Sequence, residues 1–224
     1  MLTIKYFGHS CFWVQSDDGL RVLTDPYSGV LGYVMPPTEA DIVLISHNHV
    51  MHNCLESVSG HPAVIQSEGY RELNWVKIRG IPSWHDKEQG ARHGGNTIFC
   101  WDMQALRFCH LGDLGHLPNM DLLAQIGPVD VLFFPIGGGR TLNPDEADEL
   151  LKQIPHAYAV PMHYRTKYNP RPQFGLEEFM RKQKDIIIPE PRNVLSLQRQ
   201  DFKNTRQIAA LEYLPEGANN DQKK

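Results

Sequence analysis

The most constraining stretch of the chain is Ser46-His47-Asn48-His49-Val50-Met51-His52-Asn53. It places three histidines within six residues, directly behind the apolar run Ile42-Val43-Leu44-Ile45. A short, nearly continuous apolar run reads as a strand buried on both faces. The histidines in the turn after it have no packing rationale, because hydrocarbon fills a core without the cost of desolvating an imidazole. Neutral imidazole is the commonest protein metal ligand. An H-x-H-x-x-H turn at the end of a buried strand therefore marks a metal site, set where a rigid strand gives way to a loop.

Around this segment the chain alternates strands with turns. Residues 2–7, 10–15 and 20–23 read as strands, with Asp17-Asp18-Gly19 as a hairpin turn. Residues 41–45, 63–65, 75–78, 97–101, 106–109, 129–134, 157–160, 186–188, 194–197 and 208–211 are further strands. Helix signals are fewer. Asn119 caps a helix through Ile126, stopped by Gly127-Pro128. Asn143-Pro144-Asp145-Glu146 places a cap, a first-turn proline and acidic residues in order, for a helix to about Gln153. Residues 175–184 form a third. Two sets of strands, each accompanied by helices, predict an α/β fold of two packed mixed sheets flanked by helices in one domain, residues 1–214, with a polar tail at 215–224.

Composition narrows the function classes. Twenty-two basic against 26 acidic residues, a net charge of −4, lack the basic surplus of a nucleic-acid binder. The start of the chain lacks a charged segment followed by a long apolar run, and no run approaches the ~20 apolar residues that cross a bilayer. The expectation is a cytoplasmic protein without a membrane partner. Cys11, Cys54, Cys100 and Cys109 form no C-x-x-C pair and read as reduced thiols. Cys54, two residues after His52, is a lesser candidate as a metal neighbour.

Three more chemically loaded segments follow strands: Ile81-Pro82-Ser83-Trp84-His85-Asp86, His110-Leu111-Gly112-Asp113-Leu114-Gly115-His116 and Ala159-Val160-Pro161-Met162-His163-Tyr164. Loops just past strand ends can converge on one cleft. With the first segment, their order and spacing resemble the metallo-β-lactamase superfamily: H-x-H-x-D-H after a strand, a lone His, a Gly-Asp, and a lone His near the C-terminal end. Tyr6-Phe7-Gly8-His9-Ser10, Leu23-Thr24-Asp25-Pro26, His110-Leu111-Gly112-Asp113, Pro135-Ile136-Gly137-Gly138 and Pro161-Met162-His163-Tyr164 resemble one branch, the L-ascorbate-6-phosphate-lactonase-like metal-dependent hydrolases. The resemblance runs over about residues 1 to 200.

The resemblance implies an αββα sandwich with divalent metal at one edge of the sheets, one or two ions, with Zn or Mn foremost and Fe an alternative. It implies one metal position at His47, His49 and His85 and a second at His52 and His163, with Asp113 bridging. Asp113 and His163 count as catalytic as well as metal-binding. It implies hydrolysis of an ester, lactone or phosphodiester by metal-bound hydroxide. The small-molecule substrate would be anionic, and self-association is compatible with the family.

Met51 departs from the pattern, because the family carries aspartate there. A thioether is neutral and prefers soft ions. The second position then keeps His52, His163 and Asp113, with Asn53 or water to complete it, and is expected to be weak, vacant or differently metallated. The departure leaves open a second reading, a non-catalytic member of the same fold that binds a ligand or a partner. A nuclease is a third, disfavoured by the charge balance.

The remaining candidates each have a bland alternative. His9 and Asp25 could orient ligands or simply form turns, and Asp86 divides in the same way. His110 and His116 read as supporting Asp113. Gly137-Gly138-Gly139-Arg140-Thr141 is not a P-loop; its glycines could let backbone approach a substrate. Arg140, Arg165 and Lys167 could bind an anionic group. Tyr164 could steady an oxyanion or line the cleft. His61, His93 and His156 read as surface or loop residues.

Overall fold

A computed structural model describes residues 1–29, 32–73, 75–202 and 206–215. The tail expected at 215–224 lies beyond Pro215 outside the described residues. In chain order the first strands are β1 (Leu2–Gly8), β2 (Cys11–Gln15), β3 (Arg21–Thr24), β4 (Thr38–Glu39), β5 (Ile42–Leu44), β6 (Val58–Ser59) and β7 (Ala63–Ile65). Then come β8 (Gly69–Leu73), β9 (Val76–Trp84), β10 (Gly95–Met103), β11 (Leu106–His110), α1 (Met120–Ile126), β12 (Val131–Pro135) and α2 (Pro144–Gln153). The last elements are β13 (Tyr158–Met162), α3 (Leu176–Met180), β14 (Ile186–Ile187), β15 (Val194–Leu197) and β16 (Gln207–Ala209).

Two large sheets form. One has six strands in the order β15-β1-β2-β3-β5-β7, the other eight in the order β14-β16-β13-β12-β11-β10-β9-β8. Their inner faces share one core, with Ile4, Phe12, Val14, Val22, Ile42 and Leu44 meeting Ile98, Trp101, Phe108 and Phe133. Both sheets are mixed, as the sequence predicts.

Strand direction positions the site. β3 and β5 are parallel, and β1 shares their direction through the antiparallel β2. In the second sheet β11, β12 and β13 are parallel, and β9 runs with them through the antiparallel β10. β1, β3, β5, β9, β11 and β13 therefore all deliver their C-terminal ends to one edge. These are the six strands followed by His9, Asp25, His47, His85, Asp113 and His163. Backbone hydrogen bonds close that edge across the sheets: Thr97 N donates to Ser46 O at 2.8 Å, and His163 N to His9 O at 2.8 Å.

The helices follow their local signals. Asn119 Oδ1 accepts from Leu122 N, and Gly127 ends α1 at φ 66°. Asn143 and Glu146 form a reciprocal capping box ahead of α2. The third helix is shorter than expected: after Leu176 and Phe179 are buried, Arg181-Lys182-Gln183-Lys184 has no apolar side chain to continue the face. β8 was not legible, because it is an edge strand with an exposed face and no alternation.

The outer layers also differ from the simplest αββα picture. Among the described residues the three α-helices follow strands of the second sheet. The outer face of the first sheet, Cys11, Trp13, Leu23, Val43 and Ile45, is instead covered by Tyr27, Tyr33, Met35 and Ala40, which lie between β3 and β5. Among the described residues no helix is long and apolar enough to cross a membrane. All four cysteines are free, three of them buried.

Candidate metal centre

Asp113 is the hub of the edge. Its Oδ2 lies 3.3 Å from His52 Nε2, 3.3 Å from His85 Nε2 and 3.2 Å from His163 Nε2. Those rings come from three strand ends in both sheets. The sequence puts Asp113 there through Gly112, which sits at φ 57° with Asn96 Oδ1 and Ser46 Cβ only 2.3 and 2.6 Å from where its own Cβ would stand. Any side chain at 112 would collide. Asp113 N then donates to Asn96 Oδ1, and Asn96 Nδ2 is anchored on Leu111 O and Ser83 Oγ.

Three groups of potential ligands have donor atoms within 4.8 Å of one another: His47/His85/Asp113, His47/His49/His52 and His9/His52/His163. The structure thus brings together every residue expected as a ligand, and adds His9. His49 and His47 stand at the outer rim, half-buried, while His52 is fully enclosed.

Asp25 holds the histidine turn from behind. Its Oδ2 accepts from Ser46 Oγ at 2.7 Å and lies 2.9 Å from His52 Nδ1, and its Oδ1 accepts from Ser46 N at 2.7 Å. Ser46 Oγ also contacts His47 Nδ1 at 2.9 Å. This directs the Nε2 atoms of His52 and His47 toward the centre, the usual arrangement behind a metal-binding imidazole. Asp25, His9 and His163 all have positive φ, at 41°, 57° and 52°. Left-handed backbone at three non-glycine residues of one cluster is strain held by the surrounding contacts.

Electrostatics separates the rings. Burial, reinforced by neighbouring His52, pushes His47 down to about 3, and burial also lowers His9 and His85. Burial works to lower His52 as well, but Asp113 and Asp25 override it and hold it up to about 10. Burial acts to raise Asp113, and His163 and His52 bring it well below the usual carboxylate range. Neutral His47, His9 and His85 beside an ionised carboxylate are the donors a divalent cation takes, and His52 joins them by releasing its proton as the ion enters. Asp113 Oδ1 and His163 Nδ1 are buried without a hydrogen-bond partner among the described residues. An orphaned buried carboxylate oxygen is costly in a folded protein; a cation beside it removes that cost, so these residues fit a metal.

Several sequence candidates fall elsewhere. Asp86 accepts from the backbone N–H groups of Glu88, Gly90, Arg92 and His93, so its carboxylate organises its own loop. Tyr164 is buried and donates its hydroxyl to Leu211 O, away from any oxyanion role. Arg165 is committed to Glu178 Oε1 at 2.6 Å and to Gln173 O, because α3 brings Glu178 to it. Lys167 lies over the ring of Tyr168. Gly137 permits close approach to protein and not to substrate: a Cβ there would sit 2.0 Å from His163 O. His110 bridges the sheets, with Nε2 on Ser10 O and Nδ1 accepting from Gly112 N. His116 Nε2 accepts from Trp84 N, one residue from His85. Arg140 is exposed, and its carbonyl lies 3.3 Å from His85 Nδ1.

Met51 is half-buried against the outer core cluster, and its sulfur accepts from Arg171 Nη1 at 3.3 Å. Arg171, Asn169 and Asn96 escape sequence reasoning. None carries a recognisable spacing to the histidines, and each arrives by tertiary contact. Ser46 heads the histidine segment, but its bond to Asp25 is visible only in the structure.

The family model described as a beta-lactamase superfamily domain matches residues 3–163. A metal-dependent hydrolase of Carboxydothermus hydrogenoformans is 31% identical over an alignment of 196 positions that covers 74% of this chain and 85% of that one. Another, from Thermococcus onnurineus, is 27% identical over 88% of this chain and 100% of its own length. A solved structure from Thermotoga maritima, assigned in its description to the Zn-dependent hydrolases of the metallo-beta-lactamase superfamily, has a TM-score of 0.78 at 30% identity, covering 94% of this chain and 98% of that one. Fold and cluster are thus of the metallo-beta-lactamase class. The chain belongs to the beta-lactamase superfamily, among its metal-dependent hydrolases.

Proposed function

We propose that this chain hydrolyses an ester, lactone or phosphodiester bond in a small anionic molecule, in the manner of the lactonase-like branch, using one or two divalent ions of Zn or Mn, with Fe as the alternative. The observation that carries the reading is the convergence of three histidine Nε2 atoms within 3.3 Å of Asp113 Oδ2. His47, His49 and His85 with Asp113 would hold the first ion, and His52 and His163 with Asp113 the second. A bound ion supplies Lewis acidity and a water acidified to a pKa of about 7.

The protein's own groups do the rest. Asp25 and Ser46 fix the turn that carries the rings. His163, beside Asp113, is the second catalytic candidate. Arg140 and Arg171 favour an anion: both are exposed, neither is ion-paired among the described residues, and their positive charge adds to burial and to His52 in lowering His49 at the rim. We read the activity as residing in one cytoplasmic domain spanning residues 1–214, with self-association open to the family. The net charge of −4 favours a small molecule over nucleic acid.

The test is elemental analysis of the purified protein, then a panel of esters, lactones and phosphodiesters with Met51→Asp as comparison. Bound metal and turnover are expected. A chain without metal, inactive at every Zn²⁺ or Mn²⁺ concentration, would leave the non-catalytic binding reading instead.

A further inference from the structure

Position 51 offers no carboxylate to the second ion, and the Met51 sulfur is engaged by Arg171. A different donor stands in reach. His9, in the turn between β1 and β2, has its Nε2 3.1 Å from His52 Nε2, and its ring centroid lies 4.3 Å from that of His163. Its donor falls within 4.8 Å of those of both rings. A tetrahedral site with metal–nitrogen bonds of about 2.0–2.1 Å needs donors roughly 3.3 Å apart. The His9–His52, His52–Asp113 and His163–Asp113 separations are 3.1, 3.3 and 3.2 Å.

The backbone fixes His9 in that place. Its carbonyl accepts from Tyr6 Oη at 3.0 Å and from His163 N, and its φ is 57°. Both lone-pair assignments can be met. His52 directs Nδ1 to Asp25 Oδ2, leaving its Nε2 bare when neutral. His9 Nδ1 faces the Asn169 side-chain amide at 3.4 Å, and an amide presents either a donor or an acceptor by turning over. Without an ion, one proton between the two Nε2 atoms bridges His52 and His9. On metal binding that proton is lost, and the neutral His9 ring carries its own on Nδ1, toward Asn169.

We propose that His9 replaces the missing carboxylate, so that His9, His52, His163 and Asp113 hold the second ion. This rests on the metal-dependent reading of the site but not on catalysis. Exchanging a carboxylate for an imidazole makes the site less suited to Mn²⁺ and better suited to Zn²⁺.

The experiment is Zn²⁺ stoichiometry after equilibrium dialysis, with the folded state followed by circular dichroism. The wild type is expected to bind two ions per chain and His9→Asn one, asparagine being tolerated in left-handed backbone. The double variant His9→Asn/Met51→Asp should return to two, because the carboxylate makes His9 dispensable. Two tightly held ions in His9→Asn, or only one in the wild type, overturns the proposal. A wild type that binds none overturns the metal reading as a whole. Should His9→Asn not fold, anomalous diffraction at the zinc edge on wild-type crystals decides: an ion bonded to His9 supports the assignment, and a second ion remote from His9, or none, overturns it.

Discussion

At the scale of single residues, the centre depends on groups that never need to touch substrate. Asp25 accepts three hydrogen bonds from the histidine turn and is completely buried. Asparagine keeps its size and tolerates its positive φ but loses the charge that opposes His52. Asp25→Asn is therefore expected to fold and to lose roughly 10–100-fold in metal affinity, the usual cost of removing a partner behind a metal-binding histidine. A competition titration with a chromophoric chelator measures it, and unchanged affinity would show that Asp25 is only a turn residue. Among the residues that matter here, the histidines and Asp113 were readable because their types and spacing are chemically unusual. Arg171 was not, since a lone arginine some 120 positions beyond Met51 leaves no trace of their contact.

Among the elements, β3 and β5 carry Asp25 and the histidine turn, so their pairing sets the geometry behind His52. Arg21 and Asp41 clamp this pair at its far end. Asp41 accepts from Arg21 N at 2.8 Å, Nε at 3.0 Å and Nη2 at 2.9 Å. Hydrogen bonds from the Arg21 side chain hold the Asp41 carboxyl below its ordinary range, against the opposing effect of burial. Because the folded value is the lower one, this stabilisation is present above the unfolded value of about 3.9 and is lost as pH falls through the folded one. Asp41→Asn should cost about 1–2 kcal/mol at pH 7 and less near pH 3. Urea melts of both proteins at the two pH values test this; a difference independent of pH would assign the effect to something other than charge. The clamp was not legible, because Asp41 reads as the ordinary polar start of a strand.

For the whole molecule, the centre joins the two sheets: His47, His49 and His52 arrive from one, His85, Asp113 and His163 from the other. An ion held by both sheets binds the native state and not the separated strands. At a hundredfold excess over Kd it adds about 2.7 kcal/mol, or roughly 5–10 °C in Tm for a chain of this size. Thermal melts in EDTA and in Zn²⁺ measure this, and coincident curves would mean that no ion bridges the sheets. The sequence by itself pointed to a metal-type site and to most of the strands, since histidines after an apolar run and the Gly-Asp step are local patterns with local causes. It also marked Met51 as the break. Only the tertiary structure decided which side chains face the centre. It turned Asp86, Tyr164 and Arg165 to other partners, laid Tyr27, Tyr33, Met35 and Ala40 over the outer face of the first sheet, and set His9 beside His52 across 43 residues of chain. Those outcomes depend on which strand ends share an edge, and strand direction in a mixed sheet is set by long-range pairing that no short window of residues encodes.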